Sequence, residues 1–359
     1  MLDEMSLAPP VDDHISPVLE THTKVVQEGF SYDKPLKFKS YAVTNLRGGV
    51  GKSSIAFNLA YELSRQYATL IADVCPQRNL TEVLRRNQDN KVTVLDALRP
   101  KLLGPAFGDE PVDLAYRVAP TCTSFMGGKG AYVIPGDAEM FAFPSQLYQQ
   151  LQLAAVNAGK GKTNAVRALL LSLKDILSKQ CQVTGSEIVL MDTSPFYAGG
   201  THLAWCAADA LIVPIRVDEH SIESFELLLD MLNNPERDFQ TWNNRAGGLP
   251  TPKIAAVVMT MAGSKSQQTA TPDSASRMYI DRACRLAEKY PQSFAADDPR
   301  DCFVVTDDFV SAGRVSGAKS IPIADLKVGS FHTVEGKRLQ VNGSAARYQR
   351  ELKYLASIL

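Results

Sequence analysis

Seven residues, Arg47-Gly48-Gly49-Val50-Gly51-Lys52-Ser53, constrain this chain more than any other stretch. They stand between a short apolar run, Tyr41–Asn45, and the segment Ser53–Gln66. There Ile55, Leu59 and Leu63 recur every four residues, with Ala56 and Ala60 beside them. That spacing is one buried helix face. Glycines at a strand-to-helix junction let successive N–H groups turn inward around phosphate oxygens, and the helix start adds its positive dipole end. Lys52 then reaches the β- and γ-phosphates while the Ser53 hydroxyl holds Mg²⁺. The nucleotide-binding set is Gly48, Gly49, Val50, Gly51, Lys52, Ser53 and Ser54, with Thr260 and Met261 near the base. A second stretch, Gly159-Lys160-Gly161-Lys162-Thr163, has no strand before it, and its Thr163 predicts a helix cap.

The strand-loop-helix pattern repeats. Thr69–Asp73, Ala131–Pro135, Glu187–Asp192, Ala210–Ile215, Ile254–Thr260 and Cys302–Thr306 are mostly uninterrupted apolar runs. Strands of that kind are covered on both faces, which predicts a doubly wound α/β fold, a mainly parallel sheet between helix layers. The clearest helical stretches between them are Asn164–Lys179 and Ser221–Leu232. Residues 85–130, with four prolines, are expected to be irregular, and residues 262–275 to be a mobile polar loop. Residues 1–37 read as an arm whose Ser16-Pro17 starts a short helix, Ser16 as its cap, and residues 38–359 as the main domain. Lys+Arg 38 against Asp+Glu 39 excludes a surface basic throughout. No apolar run approaches the roughly 20 residues that span a bilayer. Six scattered cysteines without a C-x-x-C pair point to a reducing cytoplasm.

The loop's basic residue before a double glycine resembles the deviant Walker A signature of the ParA/MinD family of ATPases, K-G-G-x-G-K-[ST], with Arg47 in place of the signature lysine. The likeness continues. Asp73-Val74-Cys75-Pro76-Gln77-Arg78-Asn79 is similar to that family's switch I, D-x-D-P-Q-x-N. Tyr132–Gly136 resembles its Ile-Pro strand, Ile188–Pro195 its Walker B and switch II, and Ala207–Pro214 its A-A-D strand. The Asp-x-x-Pro-Gln-x-Asn pattern and the ending AARYQRELKYLASIL are closer to the ParA partition branch than to MinD. The resemblance implies an ATP- and Mg²⁺-dependent homodimer that sandwiches two nucleotides, each subunit's signature residue touching the other's phosphates. It further implies non-specific DNA or a membrane as the surface bound, and a ParB-like adaptor that stimulates hydrolysis, in the cytoplasm or on the nucleoid.

Arg47, Lys52, Asp73 and Cys75 are thereby the catalytic candidates, and Ser53 and Asp192 the metal ligands. Asp192 ends a strand, where a carboxylate holds a Mg²⁺-bound water. Cys75 departs from the family, because a neutral thiol does not polarise water as a carboxylate does. Arg47 departs too, since it keeps the charge but presents a planar fork. Both changes predict slow or partner-dependent hydrolysis, or a nucleotide-bound positioning protein that does not hydrolyse. Cys75 also admits a reading as a redox-sensing thiol beside a helix start. For DNA the candidates are Arg277, Arg282 and Arg285 in one helical stretch and Arg347 and Arg350 in the last helix. The same stretches carry acids, so a solvated helix face is the competing reading. A MinD-like membrane role needs aromatic anchors that the C-terminal helix has few of, and is disfavoured.

Overall fold

Strands apolar at every position have to be covered on both faces, and the computed structural model shows how. It describes residues 13–86, 88–156, 161–263 and 271–359. The strands of the main sheet are β1 (Ser40–Val43), β2 (Thr69–Asp73), β3 (Tyr116–Arg117), β4 (Ala131–Ile134), β5 (Ile188–Asp192), β6 (Ala210–Arg216), β7 (Lys253–Thr260) and β8 (Phe303–Val305). Their order is β3-β4-β2-β5-β1-β6-β7-β8. Every pairing is parallel except that of the edge strand β3 with β4. A two-stranded hairpin, β9 (Phe331–Val334) and β10 (Lys337–Gln340), stands apart from this sheet.

The helices are α1 (Ser16–Glu28), α2 (Lys52–Ser64), α3 (Asn79–Arg85), α4 (Val94–Leu103), α5 (Phe143–Val156), α6 (Lys162–Leu170) and α7 (Ser172–Thr184). They continue with α8 (Gly200–Ala207), α9 (Glu219–Asn233), α10 (Asp238–Arg245), α11 (Ser274–Glu288), α12 (Val310–Lys319) and α13 (Ala345–Ile358). Residues of β1 alternate between two cores. Tyr41 and Val43 pack with α2, α3, α12 and α13, whereas Ala42 packs with the layer from α4 to α11. The doubly wound parallel sheet is therefore as the sequence predicts.

Several local expectations shift. Helix α1 begins at Ser16 with Ile15 in the cap position, so Ser16 is the first helical residue and makes no side-chain cap. The expected helix 164–179 is two helices broken at Leu171, which leaves helical geometry; α6 then buries Val166 and Leu170, and α7 buries Leu173, Ile176 and Leu177. Helix α6 starts at Lys162 after Gly161, which places Thr163 inside the first turn, where it caps nothing. The supposedly irregular stretch contains α4, opened by a reciprocal Thr93–Asp96 capping box, and β3. Gly159, Lys160 and positions 264–270 of the expected loop lie outside the described residues.

Candidate nucleotide site

Three adjacent strands, β2, β5 and β1, deliver the motif residues to one edge of the sheet. In open α/β folds ligands collect at the carboxyl ends of the strands, and these three end there. Asp73 and Asp192 are register partners at the ends of β2 and β5. The phosphate loop leaves β1 between β5 and β6. Gly49 and Gly51 have φ of +74° and +88°, a left-handed backbone that disfavours side chains. A Cβ built on either meets nothing within 4 Å, so the loop is also open in front. Its base is fixed from behind: Asn45 Nδ2 donates to the Pro214 carbonyl at 2.6 Å, and Asn45 Oδ1 accepts from the Arg47 N–H at 2.9 Å and the Ser224 hydroxyl at 2.7 Å. Trp205 Nε1, from α8 in the same layer as Ser224, donates to Thr44 Oγ1 at 2.9 Å.

Within the cradle Lys52 is 8% exposed and donates to the Arg47 carbonyl at 2.7 Å. Burial lowers its pKa, an effect opposed by the charge of Asp192. Ser53 Oγ donates to Asp192 Oδ2 at 2.6 Å, and the buried Asp192 Oδ1 has no hydrogen-bond partner among the described residues. Burial, and then the neighbouring Asp73, push the Asp192 carboxyl up to about 8. A hard cation beside Ser53 Oγ and Asp192 Oδ1 gives that oxygen the partner it lacks, so the donor set fits Mg²⁺.

Asp73 has a different setting. Oδ1 accepts the Cys75 N–H at 3.0 Å; Oδ2 accepts the Thr81 N–H at 2.8 Å and its hydroxyl at 2.7 Å. Thr81 Oγ1 in turn accepts the Gly136 N–H at 2.9 Å. A Cβ at Gly136 would stand 3.0 Å from the Asp73 carboxyl carbon. Asp73 thus fastens the loop that follows β2. Cys75 is 3% exposed, and burial pushes its thiol up to about 11, with Asp73 and Asp192 adding to the rise. A thiol held neutral is the reverse of a reactive thiolate, which removes the redox reading.

Arg47 turns toward its own subunit: Nη1 stands 3.2 Å from Asp218 Oδ1, and Arg216 Nε stands 3.4 Å from the other oxygen. Asp218 also caps α9 by accepting the Ser221 N–H. Thr260 Oγ1 donates to the Val50 carbonyl at 3.2 Å. A cavity of about 330 Å³ continues from there, with Gly51, Ser54, Thr260 and Met261 on one wall and Phe309, Val310 and Arg314 on the other. That second wall was missed from sequence, although Asp307-Asp308-Phe309 follows an apolar strand at the same sheet edge.

The cations named for DNA are not brought together. Arg282 makes a two-point pair with Glu219, and Arg285 pairs with Asp281 at 2.8 Å, while Arg277 is half-buried on the same helix. Arg347 is 8% exposed and paired with Asp307 and Glu351. Arg350 donates to the Val26 and Gln27 carbonyls at the end of α1. Arg347 is therefore corrected from a surface contact to an interior one, which burial decides and helical spacing does not report; Arg350 stays exposed, with its guanidinium on the end of α1.

A family model described as an AAA domain matches residues 38–242. The chain is similar to protein SopA of Escherichia coli, 25% identical over 194 residues, 52% of this chain and 45% of SopA. It thus spans less than half the length of SopA. It is also similar to the chromosome-partitioning ATPase Soj of Thermus thermophilus, 27% identical over 226 residues, 63% of this chain and 70% of Soj. The solved McdA–ATP complex of Cyanothece shares the fold with a TM-score of 0.56 at 18% identity, covering 81% of this chain and 90% of that one.

Proposed function

From a chain that belongs to the ParA/MinD family of P-loop ATPases, close to its partition branch, we propose an ATP-dependent dimer that positions DNA or another cargo and hydrolyses slowly. The observation that carries the nucleotide reading is the open loop in which Lys52, Ser53 and the unpartnered oxygen of Asp192 meet. The N–H groups of Gly49 to Lys52 bind the phosphates, Lys52 neutralises charge on the outer ones, and Ser53 with Asp192 hold Mg²⁺. Bound there, the cation supplies charge neutralisation on the phosphate oxygens.

Slow turnover follows from the place where a water activator belongs. Cys75 is neutral and buried, and both oxygens of Asp73 are engaged in the loop. Arg47 supplies the guanidinium that reaches across a dimer once it leaves Asp218. Closure of two subunits on the γ-phosphate makes that group the contact that differs between states. A ParB-like adaptor that accelerates turnover and a nucleoid-associated cytoplasmic location complete the reading. A second reading, a positioning protein that keeps its nucleotide unhydrolysed, is favoured by the same Cys75.

The test measures ATP turnover and oligomer size together, with and without DNA. Mg·ATP converts the wild type to a dimer at low turnover, Cys75→Asp raises turnover at least about tenfold, and Lys52→Ala loses both binding and dimer. Equal turnover in wild type and Cys75→Asp overturns the slow-hydrolysis proposal. Absence of calorimetric binding overturns the nucleotide reading.

A further inference from the structure

With four of the five expected arginines, Arg282, Arg285, Arg347 and Arg350, engaged by acids or carbonyls, free positive charge gathers on another element. Between residues 319 and 340 four cations, Lys319, Lys327, Lys337 and Arg338, stand against two acids, Asp325 and Glu335, in a chain of formal net charge -1. All four are exposed, and none takes part in an ion pair among the described residues. Lys337 and Arg338 belong to the β9–β10 hairpin, Lys327 lies at its foot, and Lys319 closes α12, against which the hairpin packs.

The hairpin has two unlike faces. Register pairs Lys337 with Val334, Arg338 with Thr333, Leu339 with His332 and Gln340 with Phe331. Directly opposed residues share a face, so Phe331, Thr333, Arg338 and Gln340 form one side and His332, Val334, Lys337 and Leu339 the other. The first four are all exposed; on the other side His332, Val334 and Leu339 are half-buried, Val334 and Leu339 packing on the core, while Lys337 beside the turn is exposed. Arg338 Cζ lies 4.1 Å from the centre of the Phe331 ring, a cation–π contact. The outward face therefore offers a guanidinium, an amide, a hydroxyl and an aromatic ring on a ribbon with a tight Glu335-Gly336 turn, both residues at positive φ.

We infer that this ridge, with Arg338 on its outward face, Lys337 on the reverse side beside the turn and Lys327 at its foot, is where the protein contacts duplex DNA. A two-stranded ribbon is the width the major groove admits, and cations on a narrow ridge reach phosphates on both sides of it. The inference rests on the partition reading above and replaces the α11 and α13 contacts expected from sequence. The link to nucleotide is structural: α12 lies between hairpin and cavity, and its first residues, Val310 and Arg314, line the cavity wall. Val310 sits there at φ +38°, a strained angle for a β-branched residue, and Met261 on the opposite wall has φ +59°. Two strained residues facing the same cavity make the joint at which nucleotide moves α12 and the hairpin with it.

The experiment is fluorescence anisotropy with a labelled duplex across a salt series, with Mg·ATP present. Wild type is compared with Lys337→Ala/Arg338→Ala and with Glu335→Lys, after calorimetry shows that each variant binds Mg·ATP as wild type does. The double variant is expected to weaken binding about tenfold or more and to reduce the log–log salt slope by about two phosphate contacts; Glu335→Lys strengthens both. A duplex-binding wild type whose affinity and slope survive the double substitution overturns the hairpin assignment and leaves the partition reading standing. A wild type that binds no duplex with Mg·ATP overturns both. Loss of retention on immobilised polyglutamate with duplex affinity unchanged assigns the face to an acidic protein instead and also overturns the inference.

Discussion

His202 shows how much a single side chain can impose on this molecule. It is fully buried in α8, its Nδ1 lies 3.2 Å from the Tyr148 hydroxyl, its Nε2 has no partner among the described residues, and the rings of Tyr197 and Phe239 stand against it. Burial lowers its pKa to about 3. A histidine kept neutral when folded and charged when unfolded contributes stability that is whole above the unfolded value of 6.5 and is lost as pH falls from there toward 3. At pH 5 the loss is about 2 kcal/mol. Urea midpoints recorded between pH 7.5 and 5 therefore fall more for wild type than for His202→Gln, and parallel curves refute this. Nothing in the sequence around His202 gives the burial away. The phosphate loop, by contrast, was legible because its function needs only neighbours in sequence: glycine angles, one lysine, one hydroxyl and a helix start. The role of Asp73 was half-legible. Its place at a strand end could be read, but its commitment to Thr81, eight residues on, depends on how the loop closes.

At the level of elements, α13 is held to the loop after β8 by an interior charge group. Arg347 pairs with Asp307 and with Glu351, which is 1% exposed and whose carboxyl burial pushes up to about 8. Removal of Arg347 leaves Glu351 without its ion-pair partner in a dry place, whereas Asp307, about a quarter exposed, keeps contact with water. Arg347→Ala is expected to cost about 3–5 kcal/mol in chemical denaturation, whereas Arg350→Ala, which loses a helix-end contact, costs about 1. Similar losses for the two would contradict the interior role. The strands were read to within a residue or two because a doubly covered strand is apolar throughout. The missed elements have equally definite reasons. Pro100 hides α4, although its Thr93-x-x-Asp96 opening was there to be read, and the two-residue β3 is too short to leave a pattern. The junction at Leu171 was invisible because apolar residues continue through it; packing turns the chain there, not composition.

Across the whole molecule, residues more than 250 apart in sequence share one cavity, with Gly51 and Ser54 facing Phe309 and Arg314. The phosphate grip and the second wall can therefore be separated by experiment. Arg314→Ala is expected to weaken Mg·ATP about tenfold, or 1.4 kcal/mol, while inorganic tripolyphosphate binds unchanged in calorimetry; an equal loss for both ligands would show that Arg314 serves the phosphates. The family match ends at residue 242, before either Thr260 or Phe309 is reached. On the proposal that this cavity takes the base, the preferred purine is set by the late third of the chain and the grip on the phosphates by the early part. Fuel choice and timing then belong to different chapters of the same polypeptide.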